Sequence, residues 1–295
     1  MVLIVSKEGQ LANRLAHASA FIANSLANNY RLVHFFFEDY YPFFSEQLNQ
    51  HRSLLKVFLI KDTGINKIVR SSISLFIRGM LKLRITKLPF LEIIDYRKYE
   101  QGTSIYNLHD EKFIKKAKSK IILVYGWLFR DRENQKTFRE QLIKIWTPNR
   151  QFTSKVEQCY FRYKKDHDVI IGVHIRRGDY KKFNNGVWFY EPEEYYAKIK
   201  ELAGLKRFAG KKIAFVICTN EKEICFANGS NFDIFFEERH FVEDLYLLAK
   251  CDYIIGPPST FSIWASYYGS VPLLMITTID TVINDNNFQP ELSIF

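Results

Sequence analysis

Short apolar runs rich in β-branched residues alternate along this chain with segments of helical period, and that alternation leaves few folds open. Val2–Ser6 reads as a buried strand. Apolar residues then recur at helical spacing from Leu11 to Leu26 (Leu11, Leu15, Ala18, Ile22, Leu26), and Leu32–Phe37 reads as a second strand. A strand, turn, helix and strand in that order begin a parallel α/β sheet. A second series opens at residues 169–175, all apolar but for one histidine. There the pattern predicts helices over Pro192–Leu202, Phe241–Lys250 and Ser259–Tyr268, and strands over Ile213–Cys218, Tyr253–Ile255 and Leu273–Thr277. Between the series, Ile121–Tyr125 reads as a strand and Phe138–Trp146 as a helix stopped by Thr147-Pro148. The region from Asp39 to Glu111 shows no single period and receives no assignment. A chain of 295 residues has room for two domains. The expected division is 1–155 and 156–295, two Rossmann-like domains facing across a cleft.

Composition excludes several classes. The longest apolar run, Ile121 to Phe129, is too short to span a bilayer, and Lys7 and Glu8 end the first run too early for a signal peptide. Cys159, Cys218, Cys225 and Cys251 form no C-x-x-C pair, which argues against a zinc site and for reduced thiols in a cytoplasmic protein. The net charge of +10 calls for anionic partners: phosphorylated ligands, a membrane face or nucleic acid. Part of the excess is local. No acid lies between Asp62 and Glu92, while Lys67, Arg70, Arg78, Lys82, Arg84 and Lys87 alternate with apolar residues. Such a stretch, 67–87, suits peripheral contact with the inner membrane face, or else a solvated helix.

Ligands of open parallel sheets sit beyond the carboxyl ends of strands. Three segments there carry unusual residues. The turn after the first strand holds Glu8-Gly9-Gln10. The loop after the 169–175 strand reads His174-Ile175-Arg176-Arg177-Gly178-Asp179-Tyr180, and two arginines present planar donor forks suited to phosphate. The turn before the last long helix, with Ser259, Thr260, Phe261 and Ser262, places hydroxyls and free N–H groups at a helix N-terminus, where anions bind. Asp166-His167-Asp168 is formally a D-x-D, but it precedes its strand, so no metal site is expected there.

The segment from His174 to Tyr180 resembles the H-x-R-R-G-D-Y motif of α-1,2-fucosyltransferases, relatives of the O- and α-1,6-fucosyltransferases. Further segments resemble that family in order. Gly9-Gln10-Leu11-Ala12-Asn13-Arg14 is similar to its opening G-x-L-G-N-Q loop, with Ala12 and Arg14 as departures. Tyr125-Gly126-Trp127 is similar to its mid-chain segment, Asp244 to Cys251 to D-x-x-L-M-S-x-C, and Ser259 to Trp264 to S-S-F-S-W-W. Thr219-Asn220-Glu221 departs from the usual Ser-Asp-Asp.

The resemblance implies a GT-B-like α/β architecture and an inverting transfer of fucose from GDP-fucose to a glycan hydroxyl, α-1,2 to galactose; with the basic stretch 67–87 in view, a lipid-linked glycan is one candidate acceptor. It implies a C-terminal nucleotide-sugar domain in which Arg176 and Arg177 hold the diphosphate and His174 orders their loop. It further implies that Asp244 reads guanine and that Ser259, Thr260, Phe261 and Ser262 surround phosphates and base. Asn13, on the acceptor-side N-terminal domain, is then expected at the sugar. Asp179 and Glu8 are both candidates for general base. With the leaving charge met by arginines, neither metal nor cofactor is expected. The competing expectations are a transferase with another GDP-sugar, motivated by Thr219-Asn220-Glu221, and a basic nucleic-acid-binding protein, against which no nucleic-acid motif appears.

Overall fold

Val2–Ile4 forms β1, with Val2 and Ile4 fully buried, because a central strand of a parallel sheet is covered on both faces. The computed structural model describes residues 1–7, 9–51, 57–59, 64–97, 104–224, 226 and 231–291. In it the chain forms two compact units, one ending at Asn149 and the other beginning at Arg150.

In the first unit β1 is followed by α1 (Leu11–Asn28), β2 (Leu32–His34), α2 (Tyr41–Gln50), β3 (Val57–Leu59), α3 (Gly64–Lys82) and β4 (Leu91–Asp95). Then come β5 (Tyr106–Asn107), α4 (Glu111–Ser119), β6 (Ile121–Tyr125), β7 (Phe129–Arg130), α5 (Arg132–Thr137) and α6 (Arg139–Ile145). Five strands pair in parallel in the order β3-β2-β1-β6-β4, and β5 pairs with β7 apart from them. α1 ends at Asn29, whose left-handed backbone (φ 58°) sends its N–H to the Ser25 carbonyl.

Among the described residues, the region left unassigned in the sequence thus holds two helices and three strands. Two of these hide their period for visible reasons. β4 carries a buried glutamate, Glu92, whose charge is met by Lys116 at 2.8 Å. α3 is apolar on two opposite sides, which blurs any one-face pattern.

The second unit contains α7 (Arg150–Lys164), β8 (Val169–Ile175), α8 (Pro192–Ala203), β9 (Ile213–Thr219), β10 (Asp233–Phe236) and α9 (Phe241–Leu248). It ends with β11 (Tyr253–Gly256), α10 (Thr260–Gly269), β12 (Pro272–Met275) and β13 (Gln289–Pro290). The division falls at the head of α7 rather than inside it. That helix stacks Phe152 on His240 and Tyr163 on Phe235, so its apolar side chains belong to the second core. The sheet runs β10-β9-β8-β11-β12-β13, parallel except for β13. Every residue of β8 is buried, and Ile171, Val173 and Ile175 share a core with Tyr195, Ile199 and Leu202 of α8.

Candidate functional site

From β8 the chain goes through α8 to β9 on one side and returns to β11 on the other, so strand order reverses between β8 and β11. Ligands of open α/β sheets bind in the crevice at such a reversal. Both sequence-predicted anion loops, Arg176–Tyr180 after β8 and Pro257–Ser259 after β11, flank it.

The arginine loop is braced from β9. Asn220 Oδ1 accepts the Arg177 N–H at 3.1 Å, and Glu221 Oε1 accepts the Gly178 N–H at 3.2 Å. Gly178 has φ 41°, and a Cβ there would lie 2.7 Å from Asn220 Nδ2, so the tight turn needs glycine. Arg177 Nη1 donates to Glu191 at 2.6 Å and to the Tyr190 carbonyl at 3.1 Å, and its guanidinium lies over the Phe189 ring. Asp179 pairs with Arg176 at 2.9 Å, not with Arg177. The Arg176 guanidinium also lies 5.6 Å from the Tyr180 ring centre, and Tyr180 donates its hydroxyl to the Pro258 carbonyl at 2.7 Å. One tyrosine therefore ties the two loops together.

Opposite the arginines, α10 begins with Ser259 as its cap, Oγ accepting the Phe261 N–H at 3.2 Å. Ser262 is fully buried, 2.6 Å from His174 Nδ1, and the Phe261 ring stacks on the imidazole at 5.0 Å. Burial, then the nearby Arg176 charge, holds His174 down at about 3, so the ring is neutral. It acts as a packed hydrogen-bonding spacer between β8 and α10. Gly256 permits this closeness: a Cβ there would meet the His174 carbonyl oxygen at 2.7 Å. Thr260 stands on the first turn of α10, partly exposed.

Asp244 lies on the first turn of α9, buried, near the carboxyl end of β9. Arg239 Nε donates to its Oδ1 at 2.8 Å, while Arg239 Nη2 donates to the Ile217 carbonyl. Burial pushes the Asp244 carboxyl up to about 6, against the pull of Arg239. Asp244 is therefore an anchored carboxylate, with one oxygen committed to an arginine.

The first-unit candidates are more dispersed. Glu8 lies outside the described residues. Asn13 sits on the first turn of α1, its Oδ1 buried and without a hydrogen bond among the described residues. Arg14 is turned inward, donating to the Gly9 and Phe36 carbonyls and to Asp39. The loops after β1 and β6 are joined by the Gly126 N–H donating to Ser6 Oγ at 3.2 Å. At the amino end of β8, Asp168 accepts the Lys212 N–H and His167 bridges the Tyr163 carbonyl and Asp233, so the D-x-D serves a turn. Among the described residues no group of three or more His, Cys, Asp or Glu side chains is placed to hold a metal ion.

The model of glycosyl transferase family 11 matches residues 109–291, more than half of the sequence. The chain belongs to that family. No curated protein matches the sequence. Among solved structures, a point mutant of Arabidopsis thaliana FUT1 in complex with GDP aligns with TM-score 0.57 and 15% identity, over 98% of this chain and 73% of that one. The NodZ α-1,6-fucosyltransferase of Bradyrhizobium, soaked with GDP-fucose, aligns with TM-score 0.52 and 16% identity over 93% and 94%. POFUT1 in complex with GDP-fucose aligns with TM-score 0.50 and 10% identity over 92% and 94%. These likenesses concern the fold, which is the GT-B-like α/β fold of Rossmann-like units.

Membership of glycosyl transferase family 11 makes the protein a glycosyltransferase and sets aside a nucleic-acid-binding protein. The parts that four residues play at this site were missed in the sequence of the family 11 enzyme. Asn220 and Glu221 were noted only as departures, yet they hold the arginine loop. Arg239, which anchors Asp244, left a weak signal: a cation preceded by Glu237 and Glu238 just before a helix. Tyr180 was quoted within the motif, but its link to Pro258 requires knowing that β8 and β11 are neighbours.

Proposed function

We propose that this glycosyltransferase moves fucose from GDP-fucose to a glycan hydroxyl, α-1,2 to galactose, without metal or cofactor. The observation that carries the donor side is the arginine loop and the capped α10 N-terminus on either side of the β8/β11 reversal. GDP or GDP-fucose occupies the fold relatives named above.

In this reading Arg176 and the N–H groups of α10 receive the diphosphate. As the bond from the anomeric carbon to the phosphate oxygen breaks, its electron pair stays on GDP. Fixed donors stabilise that charge by about 3 kcal/mol each. The acceptor oxygen attacks the opposite face of the sugar and gives its proton to a base. Asp179 is hydrogen-bonded to Arg176 and suits orienting that arginine, which leaves Glu8 as the candidate base. Asp244 presents its carboxylate to the N1 and N2 donors of guanine. Asn13 keeps the acceptor-side role implied by the family resemblance. Because Asn220 and Glu221 brace backbone, their departure from the family pattern is accommodated without a change of donor.

Calorimetry with GDP and UDP, followed by transfer assays with GDP-fucose and GDP-mannose on a glycan array, tests the proposal. GDP is expected to bind at least tenfold tighter than UDP, and only GDP-fucose to turn over. Equal binding of UDP removes the guanine assignment, and turnover of GDP-mannose alone removes fucose.

A further inference from the structure

α3 is an amphipathic helix with two apolar sides. Its inner side carries Ile77, fully buried, with Ile73, Met80 and Leu81 packed on the core of the first unit. Arg70 also points inward, buried near Glu38, so it does not share the outward surface expected of it. On the far side Ile65, Ile68, Leu75, Phe76 and Leu83 form a second stripe, with Ile65 76%, Leu75 73% and Leu83 70% exposed. Helical spacing places Lys67, Arg78 and Lys82 along one border of that stripe, all exposed. Arg84, Ile85, Lys87 and Phe90, exposed in the turn that follows, extend the same mixture.

Helices exposed to water keep their outer face polar, and a contiguous apolar stripe on that face marks an interaction surface. The charge pattern selects the partner. With no acid between Asp62 and Glu92, a second copy docking face to face would set these cations against their own kind. An anionic lipid bilayer meets both features: acyl chains receive the leucines, isoleucines and phenylalanine, and headgroup phosphates receive the cations at their border.

We propose that α3 and the turn after it form an interfacial membrane-binding face that seats the enzyme on an anionic lipid bilayer. This inference does not depend on the identity of the donor sugar. It implies that the glycan acceptor is met at a lipid surface.

The test is co-sedimentation of the intact protein with vesicles of phosphatidylcholine containing about one-third phosphatidylglycerol. Binding is expected at low salt and is expected to weaken as the Debye length shortens towards ~8 Å. The double variant Arg78→Gln/Lys82→Gln should bind about thirtyfold more weakly, each cation contributing about 1 kcal/mol. Leu75→Ser/Leu83→Ser should lose at least about tenfold, and because both side chains are exposed its melting temperature should not move. Absence of binding to the anionic vesicles at low salt overturns the proposal. So does equal binding to pure phosphatidylcholine. Self-association of the protein that is abolished by Leu75→Ser/Leu83→Ser, without vesicle binding, assigns the stripe to a second copy and also overturns it.

Discussion

Beyond the carboxyl end of β8 Arg176 and Arg177 are held mainly by exposed carboxylates, whereas the first unit's Arg14 and Arg130 are buried and held mainly by backbone carbonyls, Arg14 with Asp39 in addition. Arg176 pairs with Asp179, and Arg177 with Glu191 and the Tyr190 carbonyl. Arg14 donates to the Gly9 and Phe36 carbonyls as well as to Asp39, and Arg130 donates to the carbonyls of Trp127 and Phe129. Both sheets place their first strand internally and reverse strand order beside it, β1 between β2 and β6, β8 between β9 and β11. The difference lies in what each arginine's partner can give up. A solvated side-chain carboxylate can swing away when a diphosphate arrives, at little cost. A carbonyl fixed in the backbone cannot. The same scaffold therefore offers an exchangeable anion site in one unit and mainly rigid loop supports in the other, where Arg14 keeps its two backbone carbonyls even if Asp39 swings away.

The largest expected effect sharpens that contrast. Arg176→Ala should lower transfer by more than a hundredfold, the loss of about 3 kcal/mol of transition-state stabilisation, with an unchanged melting temperature. Steady-state kinetics beside thermal melts check both parts, and retention of more than a tenth of the wild-type rate would remove the role. Arg14→Ala should behave in the opposite way. Losing buried charged hydrogen bonds should destabilise the fold by about 2–3 kcal/mol in chemical denaturation, and an unmoved midpoint would break the comparison. Arg177→Ala falls between them, with some loss of rate and some of stability.

Acid sensitivity comes next in size. Burial, then a neighbouring cationic or imidazole group, keeps His17, His34 and His174 below the usual imidazole value of 6.5, the last two at about 3. Between about pH 3 and 6.5 the unfolded chain thus binds more protons than the native one, so stability rises with pH across that window and falls on acidification. Asp244, raised from 3.8 to about 6, acts in the opposite direction over its own window, one group against three. The melting temperature should fall steadily from pH 6.5 to pH 4, and a flat profile contradicts the neutral buried histidines. The smallest effect expected is none: transfer should proceed unchanged in EDTA. Loss of rate in chelator, restored by magnesium or manganese, would show that the arginines do not carry the diphosphate charge alone.

Much of the second unit was legible in its sequence. β8 is covered on both faces, so it reads as an unbroken apolar run, and the motif beginning at His174 follows directly from its end. The head of α10 was equally plain, because a capping serine and a helix start are local features. Between Asp39 and Glu111 the same reasoning failed. α3 shows two apolar stripes, and β4 keeps a buried glutamate whose charge is met by Lys116, on another element.

The sequence by itself determined the alternation of strands and helices, the residue types of the anion loops and their place at carboxyl ends of strands, since each follows from contacts within a few residues. Tertiary structure decided which carboxylate meets which arginine, that Asn220 and Glu221 hold a loop 43 residues away, that Tyr180 reaches Pro258, and that Arg70 turns inward while Leu75 and Leu83 face out. Those choices depend on which strands become neighbours and which side of a helix the core covers, and no local period records either.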